Sequence, residues 1–151
     1  MIALIQRVTR ASVVVEDKII GEIKNGLLVF LGITPTDNSK TIEWLSKKIT
    51  GLRIFSDQDD KMNFSVKDLN ADILLVSQFT LYANVKKGNR PSFTNSAPPS
   101  IAIPLYKQMI EALEEKLEKP IQTGKFGADM KIDLLNDGPV TICIDTQQYG
   151  M

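Results

Sequence analysis

From Ile2 to Ile33 the apolar residues, many of them β-branched, come in short runs separated by polar turn signals at Glu16-Asp17-Lys18 and Lys24-Asn25-Gly26. That punctuation predicts a meander of strands at the start of the chain. The period then changes. Ile42, Leu45, Ile49 and Leu52 recur at helical spacing behind the capping candidates Asp37, Asn38 and Ser39, which predicts an amphipathic helix from about Ser39 to Thr50, ended by Gly51. "LRIF" at 52–55 reads as a short strand, "SDQDDKMN" as a polar loop, and Asp72–Gln78 as the next strand. "ANVKKGNRPSFTNSAPPS" at 83–100 is too rich in Gly, Pro, Asn and Ser for regular structure and longer than a simple connection needs. Pro98 and Pro99 lead into a second helix, Ser100 to Lys119, with Ile101, Leu105, Met109, Leu113 and Leu117 predicted on one face and Pro120 as its stop. "MKIDLLN" and "VTICID" read as two strands joined across Asn136-Asp137-Gly138-Pro139, where Asn-Asp-Gly signals a hairpin turn.

Strands, helix, strands, helix, strands, without strict βαβ alternation, predict an α/β fold. Its sheet should be mixed, mostly antiparallel or barrel-like, with the two amphipathic helices packed on one face. One domain is expected over 1–146, with 147–151 as a frayed tail. Two helices cover one face only. Val13, Val15, Ile142 and Ile144 lie on strands whose alternate residues are also fairly apolar, so the second face is expected to meet a second chain, and that predicts a homodimer.

Composition narrows the chemistry. A chain of 151 residues is long enough to bury roughly 68–70% of its unfolded surface in one core. Lys+Arg and Asp+Glu stand at 18 each, so any polyanion site must be a local patch. There is no histidine, and Cys143 is the only cysteine. An internal disulfide is therefore impossible and a Cys/His zinc site is not expected; neither metal nor cofactor is anticipated. "MIALIQRVTRASVVV" is broken by Gln6, Arg7 and Arg10, so it reads as neither a signal sequence nor a membrane span, and a cytoplasmic location fits.

Within "LLVSQFTLYANV" (74–85), Ser77 and Thr80 are either ordinary strand residues bonding nearby backbone or nucleophiles. A hydroxyl nucleophile needs a base, and with histidine absent nothing adjoining Thr80 in sequence supplies one. Lys86, Lys87 and Arg90 form either a solvated loop or a phosphate-binding patch beside this stretch. Pro139, placed where a strand should begin, removes a ladder donor and sits in an X-Pro bond, for which the cis form costs only about 0.5–1 kcal/mol. Cys143 should face away from Ile142 and Ile144 as an inert packing residue.

Taken together, "SQFTLYA" at 77–83, "RPSF" at 90–93, "APP" at 97–99, "GADM" at 127–130 and "NDGPVT" at 136–141 resemble the D-aminoacyl-tRNA deacylase family over nearly the whole chain. The resemblance implies a homodimer that hydrolyses the ester between a D-amino acid, or mischarged glycine, and the 3′-terminal adenosine of tRNA. It implies that Ser77, Gln78, Phe79 and Thr80 form the pocket floor. Gly138 and Pro139, through a cis peptide, would reach into the partner's pocket, and Arg7 would brace them. Backbone N–H groups of Phe79 and Thr80 would then serve an already activated ester, so that no protein base is needed. Two rival readings are a Thr- or Ser-dependent esterase acting on small esters and a non-catalytic tRNA-binding module using the Lys86–Arg90 loop.

Overall fold

The computed structural model describes all 151 residues. Its first strand, β1 (Ile2–Val15), is 14 residues long and is followed by β2 (Lys18–Ile23) and β3 (Gly26–Gly32). β3 pairs antiparallel with the first half of β1 (Ile2↔Gly32 to Val8↔Gly26), and β2 pairs with the second half (Ala11↔Ile23 to Val15↔Lys18). The other edge of β1 carries β8 (Lys131–Asp145) along almost its entire length.

Helix α1 (Ser39–Gly51) starts at Asn38, whose side chain accepts the N–H groups of Lys40 at 2.9 Å and Thr41 at 3.4 Å. A small hairpin of β4 (Phe55–Ser56) and β5 (Met62–Phe64) follows, then β6 (Asp72–Ser77), which lies parallel to β3. Helix α2 (Pro99–Leu117) crosses back to β7 (Gln122–Thr123), parallel to β6. The sheet order is therefore β2-β1-β3-β6-β7, with β8 on the remaining edge of β1. Both parallel connections are β-α-β crossovers, and both helices lie on the same side of the sheet, as the hydrophobic pattern predicts.

That side holds the larger core. Ala3 and Ile5 of β1, Leu27, Val29 and Leu31 of β3, and Ile73 and Leu75 of β6 meet Ile42, Leu45 and Ile49 of α1 and Met109 and Leu113 of α2. Fully buried side chains such as Leu45, Ile49, Met109 and Leu113 each stabilise the fold by about 1.5–3 kcal/mol. The α2 stripe differs from the prediction. The buried residues are Ala102, Tyr106, Met109, Leu113 and Leu117, while Ile101 is 37% exposed. A strict four-residue ladder gains about 40° at every step on a helix of 3.6 residues per turn, so it cannot stay on one face over four steps. Replacing one step by three keeps the stripe aligned.

Part of the second face is covered by the sheet itself. Thr9 and Arg10 are both exposed, which breaks the alternation of β1, and beyond them Ala11, Val13 and Val15 turn inward. They join Val8, Ile23, Leu28, Leu74 and Val76 in a second core inside the curled sheet, with Met130, Ile132 and Leu134 packed against it. The sheet is nearly closed, because β2 folds over toward β6 and β7. Val13 and Val15 thus lie inside the curl, whereas Ile144 and Ile142 belong to the helix-side core. The four residues fall in two different cores because the sheet curls.

Three further expectations change. "MKIDLLN" and "VTICID" are not the arms of a hairpin; both belong to β8 and run in one direction along β1. The residues after Thr146, where the polar sequence predicted fraying, form a 3₁₀ turn (Thr146–Tyr149) whose Tyr149 ring lies 5.2 Å from that of Trp44. Cys143 is exposed rather than packed. No helix is long and apolar enough to cross a membrane.

Closure of the curl requires glycine at position 21. A Cβ there would sit 2.8 Å from the Thr123 carbonyl oxygen, a backbone atom that cannot swing aside. Gly21→Ala is expected to destabilise the protein by about 1–3 kcal/mol, read as a lower urea midpoint at unchanged m-value.

Candidate active site

The β6 strand runs out of the core at Ser77, and Gln78 makes the last ladder bond, its N–H donating to the Leu31 carbonyl at 2.8 Å. The chain then turns at once into a 3₁₀ helix, Phe79–Tyr82, which buries none of its residues. Its own hydrogen bonds begin with the Leu81 N–H donating to the Gln78 carbonyl at 3.3 Å. The two preceding N–H groups, those of Phe79 and Thr80, have no acceptor within the turn, as at the start of any helix. Both residues are exposed. The Gln78 side-chain amide donates to the Thr80 hydroxyl.

Beside this turn is a cleft of about 290 Å³ lined by Ser77, Gln78 and Phe79 on one side. Leu31, Ile33, Ala97 and Ala102 make its floor, and Phe126 to Met130 with Ile132 close the opposite wall. Ser77, Gln78 and Phe79 are therefore brought together as expected, with Thr80 just outside the cleft on the same turn. Phe126, Ala102 and Ile132 were not singled out from the sequence. The "GADM" block lies on the wall, but nothing in its spacing says that the residue preceding it fills a cleft formed by a strand fifty positions away. Tyr106 lies behind this wall: its ring is 5.9 Å from that of Phe126 and its hydroxyl donates to the Leu75 carbonyl at 2.8 Å.

Asp129, on the far wall of the cleft, is paired with Lys131 at 2.8 Å, and no carboxylate or amine hydrogen-bonds the turn. Tyr82 is the titratable residue nearest in sequence, and burial, reinforced by Asp37 and Asp145, pushes its phenol above the ordinary tyrosine value. Burial raises Tyr106 likewise. Both phenols stay protonated at neutral pH and cannot take a proton from Thr80 or from water. No three Asp, Glu or Cys side chains converge to hold a metal ion.

Gly138, Pro139 and Arg7 form a separate cluster. Opposite the stretch Gln6 to Val8, β8 jumps from Thr141 to Asn136, so Asp137 to Val140 are pinched out of the ladder. The Asn136 side-chain amide ties the neck, donating to the carbonyls of Arg7 at 2.9 Å and Val140 at 3.0 Å. Arg7 is 8% exposed; it donates to the Ile54 carbonyl at 2.6 Å and to the Asp137 carbonyl at 3.3 Å, and pairs with the Asp137 carboxylate at 3.0 Å. Gly138 has φ +119°, and a Cβ there would come within 2.9 Å of the Arg7 guanidinium. The Gly138–Pro139 peptide is cis and both residues are exposed. Arg7 thus braces a rigid exposed knuckle.

The knuckle is far from the cleft of its own chain. Arg7 and Ala3 are four residues apart on β1, and Ala3 leads through Leu31 to Ser77 across two further strands. With about 3.3 Å per residue along the strands and about 4.8 Å per strand across them, Arg7 beneath the knuckle and Ser77 are roughly 16 Å apart in the sheet.

Lys86, Lys87 and Arg90 project from a hairpin closed by paired backbone bonds between Asn84 and Ser92, at 2.8 and 2.9 Å. All three are exposed, and none makes a salt bridge. The hairpin rises beside the 79–82 turn, and Phe93 at its foot packs edge-on against Phe79, ring centroids 5.0 Å apart.

Residues 4–145 match the family model described as D-Tyr-tRNA(Tyr) deacylase. A protein of Flavobacterium psychrophilum named D-aminoacyl-tRNA deacylase is 55% identical over 147 residues, covering 97% of this chain and 98% of that one. One of Cytophaga hutchinsonii with the same name is 58% identical over the same shares of the two chains. A solved structure described as c-Myc DNA unwinding element binding protein superimposes with a TM-score of 0.90 at 44% identity, covering 96% of this chain and 98% of that one. With nearly the whole chain matched at this level, the protein belongs to the D-Tyr-tRNA(Tyr) deacylase family.

Proposed function

We propose that this chain hydrolyses the ester of D-aminoacyl-tRNA in the cytoplasm by holding the reacting carbonyl with backbone donors, in a site that a second copy completes. The observation that carries the reading is the 3₁₀ turn at the mouth of the cleft. It leaves the Phe79 and Thr80 N–H groups free of partners within the turn, in a chain that has no histidine. An aminoacyl ester is an activated acyl group. Two preorganised donors aimed at the developing oxyanion, each worth about 2.7–4 kcal/mol, leave only a positioned water to be supplied. The 2′-hydroxyl of the terminal ribose is near enough in any such ester to assist it. The apolar cleft lined by Ala102, Phe126 and Ile132 suits the planar base of that terminal adenosine.

The second copy follows from distance. The Gly138–Pro139 knuckle is exposed and rigid, yet it lies far from Ser77 to Thr80 in its own chain. In a two-fold pair each knuckle would enter the other's cleft. Its carbonyls would hold the substrate's α-ammonium, and with the ester fixed by the turn all substituents at Cα are assigned. A D side chain then points to solvent and an L side chain into backbone. Glycine, with no side chain, is not excluded by this geometry and is hydrolysed as well. Lys86, Lys87 and Arg90 hold phosphates of the acceptor end.

Thr80 separates this reading from a hydroxyl nucleophile. Thr80→Ala keeps the N–H and is expected to retain deacylation of D-Tyr-tRNA within about tenfold, with no acyl-enzyme by mass spectrometry. Thr80→Pro deletes the N–H at a position where a helix start tolerates proline and should lose about 10²–10³-fold in kcat. A dead Thr80→Ala that still folds would favour the esterase mechanism instead.

Mixing Thr80→Pro protein with Gly138→Val protein should restore activity in the mixed pairs, which carry one intact site. Neither variant should be active by itself. Sedimentation gives the pairing, and a mixture as inactive as its parts would remove the shared site.

Replacing Lys86, Lys87 and Arg90 together by alanine should raise KM for D-Tyr-tRNA and reduce the slope of log(kcat/KM) against log salt by about two to three units. Binding of tRNA without any release of D-tyrosine by the wild-type protein would favour a non-catalytic tRNA-binding module.

A further inference from the structure

We infer that Phe93 is a positioning residue for catalysis: its ring fixes the turn that carries the Phe79 and Thr80 donors and couples that turn to the basic hairpin. This rests on the backbone-donor reading above. An oxyanion hole works only if its donors are already in place, and a misplacement of about 1 Å costs on the order of 10²-fold. Most catalytic turns are held by their own buried side chains. The Phe79–Tyr82 turn is held at its far end, where Leu81 and Tyr82 lie against Gly32 of β3, but at its near end the Gln78 cap residue makes no side-chain capping bond and Phe79 is 56% exposed.

What steadies the turn from outside comes from the segment that returns from the hairpin. Asn84 and Ser92 exchange two backbone bonds, so the strand leaving the hairpin is fixed in register with the strand leaving the turn. One residue on, Phe93 presents its ring to Phe79 at 5.0 Å and 73°, the edge-to-face arrangement in which aromatic quadrupoles attract. The segment is then pinned again, with the Ser96 N–H donating to the Phe93 carbonyl at 3.0 Å and the Ala97 N–H to the Ile33 carbonyl at 2.8 Å. Phe93 is therefore anchored on both sides, by the hairpin neck and by the end of β3, and it leans on Phe79, the exposed, donor-bearing end of the turn. Displacing the hairpin displaces the donors, so a tRNA that engages Lys86, Lys87 and Arg90 bears on the geometry of the turn through one ring contact.

The test compares Phe93→Ala, Phe93→Leu and Phe93→Tyr in the full chain, on D-Tyr-tRNA and on the D-tyrosyl ester of adenosine, which has no phosphates. Phe93→Ala is expected to lower the single-turnover rate about tenfold to a hundredfold on both substrates, with KM for D-Tyr-tRNA within about threefold of wild type. Phe93→Leu should fall between, and Phe93→Tyr, which keeps the ring, should restore most of the rate. Thermal midpoints within a few degrees of wild type would accompany this result. A loss confined to D-Tyr-tRNA and expressed in KM would make Phe93 part of the tRNA contact and overturn the inference. So would unchanged rates in Phe93→Ala, or a Phe93→Tyr as impaired and as thermally weakened as Phe93→Ala. If Thr80→Pro keeps full activity the backbone-donor reading itself fails, a result distinct from any Phe93 outcome obtained with an active Thr80→Ala protein.

Discussion

Strand β1 serves three partners, and the geometry of the molecule follows from how they divide it. Along one edge, β3 takes the first half and β2 the second; along the other, β8 spans both. The break in alternation at Thr9 and Arg10 re-aims the second half of β1, so the sheet curls and encloses its own second core. In the same region four residues of β8 stand opposite the single residue Arg7 of β1, and they are expelled as the Asp137–Val140 bulge. Curl and bulge are thus two results of one mismatch. Bulges at such places re-aim groups away from the ladder, and here Arg7 and Asn136 fix the direction with hydrogen bonds to backbone carbonyls.

The cleft uses the opposite end of the sheet. Parallel strands β3 and β6 deliver Leu31 and Ser77 side by side, and β6 stops as soon as it leaves cover. A strand that ends in a 3₁₀ turn presents N–H groups where a longer strand would have hidden them in a ladder. In the proposed mechanism these donors take the place of a catalytic side chain. Dipoles of the main chain need no deprotonation and are unaffected by pH in the neutral range, while the two tyrosines nearest the site are held protonated by burial. The chemistry asked of them is modest because the ester is already activated.

Separation of knuckle and cleft gives the proposed pair its logic. A specificity element carried by the same chain could drift with the turn it polices. One supplied by a neighbour is fixed by the interface, and it is braced on its own side by a nearly buried arginine. The hairpin with its three unpaired cations adds a local positive patch beside the turn in an electrically balanced chain.

The sequence by itself determined the elements and the chemistry that is missing. Helical spacing of Ile42, Leu45 and Ile49 placed α1, the apolar run from Asp72 placed β6, and the absence of histidine ruled out a Ser-His-Asp triad at once. The motifs around Ser77 and Gly138 carried the family resemblance because they are local in the chain. Tertiary structure alone decided which residues meet. Asn-Asp-Gly signals a hairpin in any short window, and only a β1 long enough to pair with both flanking segments turns it into a bulge. The four-residue ladder from Ile101 to Leu117 reads as one face until a real helix, winding at 3.6 residues per turn, rotates Ile101 outward. Val13 and Ile142 alternate alike in sequence but fall in different cores, because a change of face depends on the curl of the whole sheet. Phe126, Ala102 and Phe93 belong to the site through contacts between segments that sequence separates. Local periodicity encodes which side of an element is apolar, whereas what that side touches is set by the closure of the sheet.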